Sequence, residues 1–439
     1  MSLRRVALLV LVCLAWGPPA HAARRVIEPP PEYAKYYAEE PTIELVTMGI
    51  GALIWERHGH IALCLRYHDP REDRCYNYGI AEFQKPLSMA WGFFRGTRSF
   101  WVGEQSPAMM LAIYTHADRT VWVQPLPLTA DQKQKVIAKL EHDDRDENRY
   151  YAYDHFMDNC TTRVRDVIDE ATGGALRSMN EPPGDKTFRD LARDGFFGMR
   201  VPLIITDLAM GRSTDRVPTY WERMFLPQYL REAVEKKFGV KPYVLYERKG
   251  PPPLNHGPSG RVLLALVILA LTAPAWLTRL WGRFQRTGLA IAVVPYVILG
   301  AVFWFLALIS PLEYVRWNET CLILMPTDVL LFAFVSPARR RQYARVRVGM
   351  LAVIAVFELV SVLKAPLLAP ILWPLIPSLV VGFWPQRAAA AGATATSAAA
   401  EPAASEPAAE PGAKGKLEPS VGGKGKAGGK GKAGGGKRG

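Results

Sequence analysis

The chain has 439 residues, 49% of them apolar, and a formal charge of +13, which is length enough for two or more domains. A nucleic-acid binder would carry its basic residues on a folded domain. Here much of the positive charge sits in a Lys-rich tail and in short Arg clusters between apolar runs, so that class is set aside. The five cysteines (Cys13, Cys64, Cys75, Cys160 and Cys321) include no C-x-x-C pair, which argues against a zinc knuckle; no metal or other cofactor is expected.

Residues 1–22 read as a secretory signal. Arg4-Arg5 start it, Val6 to Trp16 form the apolar run, and Ala20-His21-Ala22 offers an A-x-A cleavage site. The domain that follows, residues 24–250, is therefore expected outside the cytoplasm. Residues 24–42 are Pro- and Tyr-rich and read as a connecting segment. Thr42 to Leu65 reads as strand, with a turn at Gly49-Ile50-Gly51. Alternation puts His58, His60, Ala62 and Cys64 on one face and Ile61, Leu63 and Leu65 on the other. A hairpin centred near Asp69-Pro70 sets Cys64 opposite Cys75, Ala62 opposite Asn77 and His60 opposite Gly79. Asn77 then lies one diagonal step from His60, roughly 7–8 Å between backbones. The register permits a Cys64–Cys75 disulfide in an oxidising compartment, or two free buried thiols.

Residues 86–101 are unusually aromatic, as suits either a core or the wall of an acyl pocket. Thr120 to Leu126 alternates like a strand. Thr129-x-x-Gln132 is a capping box opening a helix with Val136, Ile137 and Leu140 on one face. Next comes YYAYDHFMDNCTTRVRDVIDE at 150–170. Its apolar residues Val164, Val167, Ile168 and Ala171 follow helical spacing. Asn159 or Asp158 can cap this helix, and Gly173-Gly174 can end it. Cys160 falls in the first turn, where the helix dipole and free N–H groups favour a thiolate. It reads as a nucleophile or as a small buried residue at a helix start. The chain is expected to be loop-rich from there to about Pro218. Tyr220 to Phe238 either caps the domain or lies at a membrane surface. Lys249 to Ser259 is a linker.

Beyond the linker, residues 261–386 hold five apolar runs, at about 262–280, 288–309, 321–336, 348–364 and 367–385. Several are short against the ~20 residues a helix needs to cross a bilayer. Arg279, Arg283 and Arg286 follow the first run, and Arg339, Arg340, Arg341, Arg345 and Arg347 follow the third. Positive residues stay cytoplasmic, so five helical spans with a cytoplasmic end fit an exported first domain. Glu358 and Lys364 need a pairing or a polar cavity there. The tail 387–439, Ala/Pro/Glu-rich and then Gly/Lys-rich, cannot form a core.

His60, Asn77 and Cys160 together offer Cys–His catalysis with a third group to hold the ring. The runs G-H-I-A-L at 59–63, Y-N-Y-G at 76–79, Y-x-Y-D-x-F-x-D-N-C-T-T-R at 151–163 and M-F-L-P at 224–227 resemble the Lnb-type periplasmic domain family. Its members are similar to permuted cysteine acyltransferases of the lecithin:retinol acyltransferase and NlpC/P60 superfamily. The resemblance covers roughly residues 40–240. It implies an α+β, circularly permuted papain-like (NlpC/P60-like) periplasmic domain followed by an all-α transmembrane helical domain. It also implies lipoprotein N-acylation at the bacterial inner membrane, from a phospholipid donor to a lipoprotein acceptor. His60 would be the base, with His58 on the same face, Cys160 the nucleophile, Asn77 the orienting group, and Asn159 and Asp158 oxyanion or supporting residues. A membrane-tethered cell-wall cysteine peptidase or amidase would use the same pair but would not need five spans. A non-catalytic envelope scaffold would tolerate loss of Cys160. A metal held by His58 and His60 would lack a nearby third ligand.

Overall fold

The computed structural model describes residues 29–254 and 256–385. The expected signal segment 1–22 and the tail 387–439 lie outside the described residues. The first part is α+β. Its strands β1 (Thr42–Met48), β2 (His60–Arg66), β3 (Arg74–Ile80), β4 (Phe100–Gln105), β5 (Val121–Pro125), β6 (Tyr150–Tyr151) and β7 (Tyr243–Tyr246) form one antiparallel sheet in the order β6-β4-β3-β2-β1-β5-β7. Helices α1 (Pro86–Arg95), α2 (Pro107–His116), α3 (Ala130–Asp143), α4 (Cys160–Ala171), α5 (Phe188–Gly195), α6 (Arg200–Ala209) and α7 (Pro227–Phe238) surround it.

Period-2 burial sets the two faces. Ile43, Leu45, Ile61, Leu63, Leu65, Tyr76 and Tyr78 pack under α3, α4 and α7. Val46, Met48, Ala62, Cys64, Val121 and Val123 pack on the opposite side, with Met110 of α2. Strand β1 is buried along its whole length because both faces are covered. The hairpin register is the expected one: Cys64 lies opposite Cys75, and the two form a disulfide. Thr129 caps α3 in a reciprocal box with Gln132. Gly173 and Gly174 follow α4 at φ +67° and +85°, a conformation that favours glycine.

Two sequence expectations change, and one pair of alternatives is decided. The stretch to Pro218, expected to be loop-rich, contains α5 and α6; Thr187-x-x-Asp190 is a capping box that signals the start of α5. Pro227 divides 220–238 into a short turn and α7, and Leu230, Ala233 and Val234 bury α7 in the core, so this segment caps the domain. The third apolar run is not a helix.

The apolar part has helices α8 (Gly260–Trp281) and α9 (Gln285–Ile309), both long and apolar enough to cross a membrane, then α10 (Pro337–Leu359) and the shorter α11 (Leu368–Phe383). Leu266, Ile298 and Leu308 are among the apolar side chains that α8 and α9 turn outward. Between α9 and α10 the chain returns along α9 in two short 3-10 turns, Glu319–Leu322 and Pro326–Leu331. Trp304 Nε1 donates to Cys321 O at 3.1 Å, Gly300 lies against Leu324, and Phe332 reaches the Leu289 end of α9. Buried Arg347 pairs with Asp328 at 2.9 Å and donates to the carbonyl of Ile323. Irregular backbone among apolar helices is tolerated where protein groups satisfy it. Helix α10 also begins earlier than expected, so the Arg339–Arg347 cluster lies within it. Glu358 accepts from Leu367 N, and Lys364 N donates to Glu319, so both positions serve one turn.

The two parts meet at the Ile309 end of α9. Gly211 N donates to Tyr314 O at 2.6 Å, Asn318 Nδ2 donates to Leu208 O at 2.9 Å, and the Phe156 and Tyr314 rings meet edge to face at 5.0 Å. Arg189 holds the segment leading to this junction. It is fully buried, grips Asp215 through Nε and Nη2 at 2.6 and 2.8 Å, and donates to Asp207 O and Met210 O. Breaking a buried pair from one side costs about 3–5 kcal/mol. Arg189→Ala should therefore lower the thermal unfolding midpoint of the detergent-solubilised protein strongly. Arg189→Lys should recover only part of the loss, because an ammonium cannot reproduce the bidentate fork.

Candidate active site

Cys160 is the first residue of α4, and Asn159 sets that start. The Asn159 Oδ1 accepts from Thr161 N at 2.8 Å and Thr162 N at 2.9 Å. Its Nδ2 donates to His155 O and Phe225 O, at 2.6 and 2.9 Å. Its backbone N–H donates to Thr162 Oγ1 at 2.8 Å. The amide is thus fully spent on the cap and on tying α4 to the chain at Phe225. Asp158 does not cap. It binds Arg163 through both carboxylate oxygens at 2.7 and 2.8 Å.

His60 opens β2, and its Nε2 lies 3.2 Å from Asn77 Oδ1. The Asn77 amide nitrogen donates to Cys75 O at 3.4 Å. An acceptor oxygen at Nε2 requires the proton there, which leaves Nδ1 bare as a base. The other ring face stacks on Tyr114 of α2 at 6.1 Å, and the Arg119 guanidinium lies 4.8 Å from the Tyr114 ring. Arg119 is buried, donates to Gly49 O at 2.7 Å and faces Glu56 at 3.5 Å.

His60 and Cys160 are rooted on opposite faces of the sheet. Between them β2 and β3 part: the β2–β3 pairing extends only to Leu63–Tyr76, leaving His60, Ile61 and Ala62 outside it. Gly79, at φ +85°, lies at this gap; a Cβ there would stand 3.5 Å from both Cys160 Cβ and Tyr153. The N–H of Ile61, the residue next to His60, acts on the Cys160 sulfur. Among the described residues no hydrogen bond joins His60 to Cys160; Thr161 Oγ1 is 3.8 Å from the sulfur. Catalytic contacts often tighten only when substrate binds.

The structure separates His58 from His60. Gly59, at φ +80°, breaks the alternation expected of 58–64. His58 Nε2 meets Ala192 O at 2.9 Å, and its ring packs on His155 and Phe196. The charge state also differs from the sequence expectation. Burial pushes the Cys160 thiol up, outweighing the Thr161 hydroxyl and the N–H groups of Ile61, Thr161 and Cys160 that favour the thiolate. Burial, helped by Arg119, pushes His60 down to about 4 against the opposing Asn77 bond. The pair therefore rests as neutral thiol and neutral imidazole. Nothing in the local sequence marks Tyr114 and Arg119 as neighbours of His60; Ser106-Pro107, an N-cap followed by proline at N1, signals only the start of α2.

Residues 29–193 match the family model of the Lnb N-terminal periplasmic domain. The matched stretch contains His60, Asn77 and Cys160 and ends within α5. The domain is thus similar to that of Lnb-type proteins of lipoprotein biogenesis. With the two apolar helices after it, this suits a membrane protein with a periplasmic N-terminal domain. Comparison with curated proteins and with solved structures finds no match.

A neutral resting pair has a measurable signature. The rate of iodoacetamide alkylation at Cys160 should still be rising with pH at the ordinary thiol value of 9.0, where a thiolate–imidazolium pair would have levelled near neutrality. If His60 is the base, the acid limb of kcat/KM should fall near pH 4, following a protonation that burial and Arg119 delay below the usual histidine value of 6.5.

Proposed function

We propose that this chain is a membrane-bound lipoprotein N-acyltransferase. It moves an acyl chain from a phospholipid, through a Cys160 thioester, to the α-amine of a diacylated lipoprotein. The observation that carries this reading is a helix-start cysteine beside a His60–Asn77 pair, within the stretch that matches the Lnb N-terminal periplasmic domain. Cys160, His60 and Asn77 are the catalytic set; Asn159, and Asp158 with Arg163, hold the start of α4. The histidine strand precedes the cysteine helix, the order of circularly permuted papain-like enzymes.

His60 Nδ1 takes the thiol proton as Sγ attacks the ester carbonyl. The Cys160 N–H at the start of α4 would meet the developing oxyanion. Collapse breaks the C–O bond, and the imidazolium returns the proton to the departing lysophospholipid oxygen. The lipoprotein amine then attacks the thioester and His60 takes its proton. The C–S bond breaks and the thiol is restored, leaving an amide. A histidine with depressed basicity makes a strong acid for the leaving oxygen. Both substrates are lipids, so a domain seated on apolar helices replaces a three-dimensional search with proximity.

In this reading residues 24–250 face the periplasm. The chain crosses the bacterial inner membrane five times, the third time as the non-helical 319–336 segment, and the tail ends in the cytoplasm. A thiol placed at exposed Gln342 beside the Arg cluster, Gln342→Cys in a Cys160→Ala, Cys321→Ala background, should resist membrane-impermeant maleimide in intact cells and react once the membrane is opened. Labelling from outside would overturn this topology.

Purified full-length protein given phospholipid and a diacylated lipopeptide with a free amine should form a triacylated product. Without lipopeptide, an acyl–Cys160 adduct removable by hydroxylamine should accumulate, seen by intact-mass spectrometry. Cys160→Ala should fold yet lose both products, whereas Cys321→Ala should keep them. Fatty-acid release without amide would indicate a lipase. Cleavage of a cell-wall peptide with no change in lipopeptide mass would favour the cysteine peptidase or amidase reading.

A further inference from the structure

Helix α1 stands beside the end of α9 in a fixed direction. Its C-cap Gly96 abuts Pro311, two residues beyond α9, and Trp91 stacks on Phe305, within the last turns of α9, at 6.1 Å. Moving back along α1 from Gly96 to Trp91 therefore means moving down α9 from Pro311 to Phe305. One further turn back is Leu87, which is 87% exposed and shares a helix face with the 51% exposed Trp91. The opposite face, Met89 and Phe93, packs on the domain core. Beside the start of α1, Phe83 stacks on Trp55 at 5.2 Å, and Leu53, Ile54 and Trp55 are exposed in succession.

The level of this patch follows from α9. Its 25 residues span about 37 Å at ~1.5 Å per residue, against a hydrocarbon core of ~30 Å. The final turns of α9 thus stand at headgroup level, and Leu87 lies at or below the level of Phe305. Lys85 and Arg95 flank the apolar face, with the amphiphilic pattern of an interfacial helix. From its inner face, Phe93 meets Tyr153 at 6.2 Å, and Tyr153 borders Gly79 and Cys160 at the gap between β2 and β3.

We infer that α1 and the loop 53–55 form a foot that dips into the extracytoplasmic leaflet, presenting Leu53, Ile54, Trp55, Phe83, Leu87 and Trp91 to lipid. The partner is the bilayer surface that α9 enters, and the foot guides the acyl ester of a leaflet phospholipid to the Phe93–Tyr153 side of Cys160. The guiding role rests on the acyltransferase reading; immersion rests only on α8 and α9 crossing the membrane.

The two parts can be tested separately. Full-length protein carrying Leu87→Cys in a Cys160→Ala, Cys321→Ala background is labelled with an environment-sensitive fluorophore and reconstituted into phosphatidylethanolamine–phosphatidylglycerol vesicles. Emission from position 87 should be blue-shifted and quenched by lipids brominated along the acyl chain. A label at Arg71→Cys, at the far tip of the β2–β3 hairpin, should show neither effect. Equal quenching of both labels by aqueous iodide would overturn the foot. For guidance, Leu87→Asp with Ile54→Asp should lower acyl–Cys160 formation from vesicle phospholipid about tenfold, the equivalent of ~1.4 kcal/mol, and leave the rate with a water-soluble short-chain ester unchanged. An unchanged vesicle rate would overturn guidance. If wild type forms no acyl–Cys160 with either donor, the acyltransferase reading fails, while the fluorescence still decides immersion.

Discussion

The amide of Asn159 is the interaction on which the site depends. One side chain caps α4 through two N–H groups and reaches back to two carbonyls, one of them Phe225 O beside α7. Helix N-caps contribute about 0.5–2 kcal/mol, but the larger effect here is positional. The cap fixes where α4 begins, hence where Cys160 stands against the gap between β2 and β3. Phe225 and Phe156, on either side of this amide, join Phe188 and Tyr314 in one aromatic cluster. The start of the cysteine helix is thereby packed against the segment that follows α9.

The His60 side of the site is built independently, from the opposite face of the sheet. Asn77 fixes one ring nitrogen, Tyr114 covers a ring face, and Arg119 stacks behind Tyr114. In the proposed reaction such support would orient the base without contacting substrate. It also buries the imidazole beside a cation, so His60 stays uncharged. Thiol and imidazole are each held neutral by burial, so in the proposed reaction charge would develop on the way to the transition state rather than at rest. A site of this kind stores no ion pair that water would solvate, which suits a dry, lipid-facing environment.

The apolar part obeys a different constraint, the satisfaction of backbone groups away from water. Segment 319–336 meets it without a helix. Trp304 and Arg347 donate to carbonyls that helical N–H groups would otherwise have met, and the Asp328 carboxylate holds Arg347 in place. The polar residues of this part are thus largely structural. Glu319 and Glu358 hold the turn at 364–367, and Asn318 reaches out of the apolar part to the end of α6.

By itself the sequence determined what local patterning determines. Alternation and turn composition placed the 60–66 and 74–80 strands in their true register, which brought Cys64 to Cys75 and Asn77 to His60. Helical spacing, the Thr129 box and the paired glycines located α3 and α4, and hydropathy located α8 and α9. These signals are legible because each residue's role depends on near neighbours in the chain. Tertiary structure decided the rest. Gly59 turned His58 away from His60 through a backbone conformation that the residue pattern does not encode. Burial, summed over distant segments, overrode the helix-terminus effect on Cys160. The partners that let 321–336 run without a helix lie on α9 and α10. Tyr114 and Arg119 reached the site only because α2 folds across the sheet. In the last three cases the deciding free energy came from desolvation or hydrogen bonding between residues far apart in sequence, which no local pattern records.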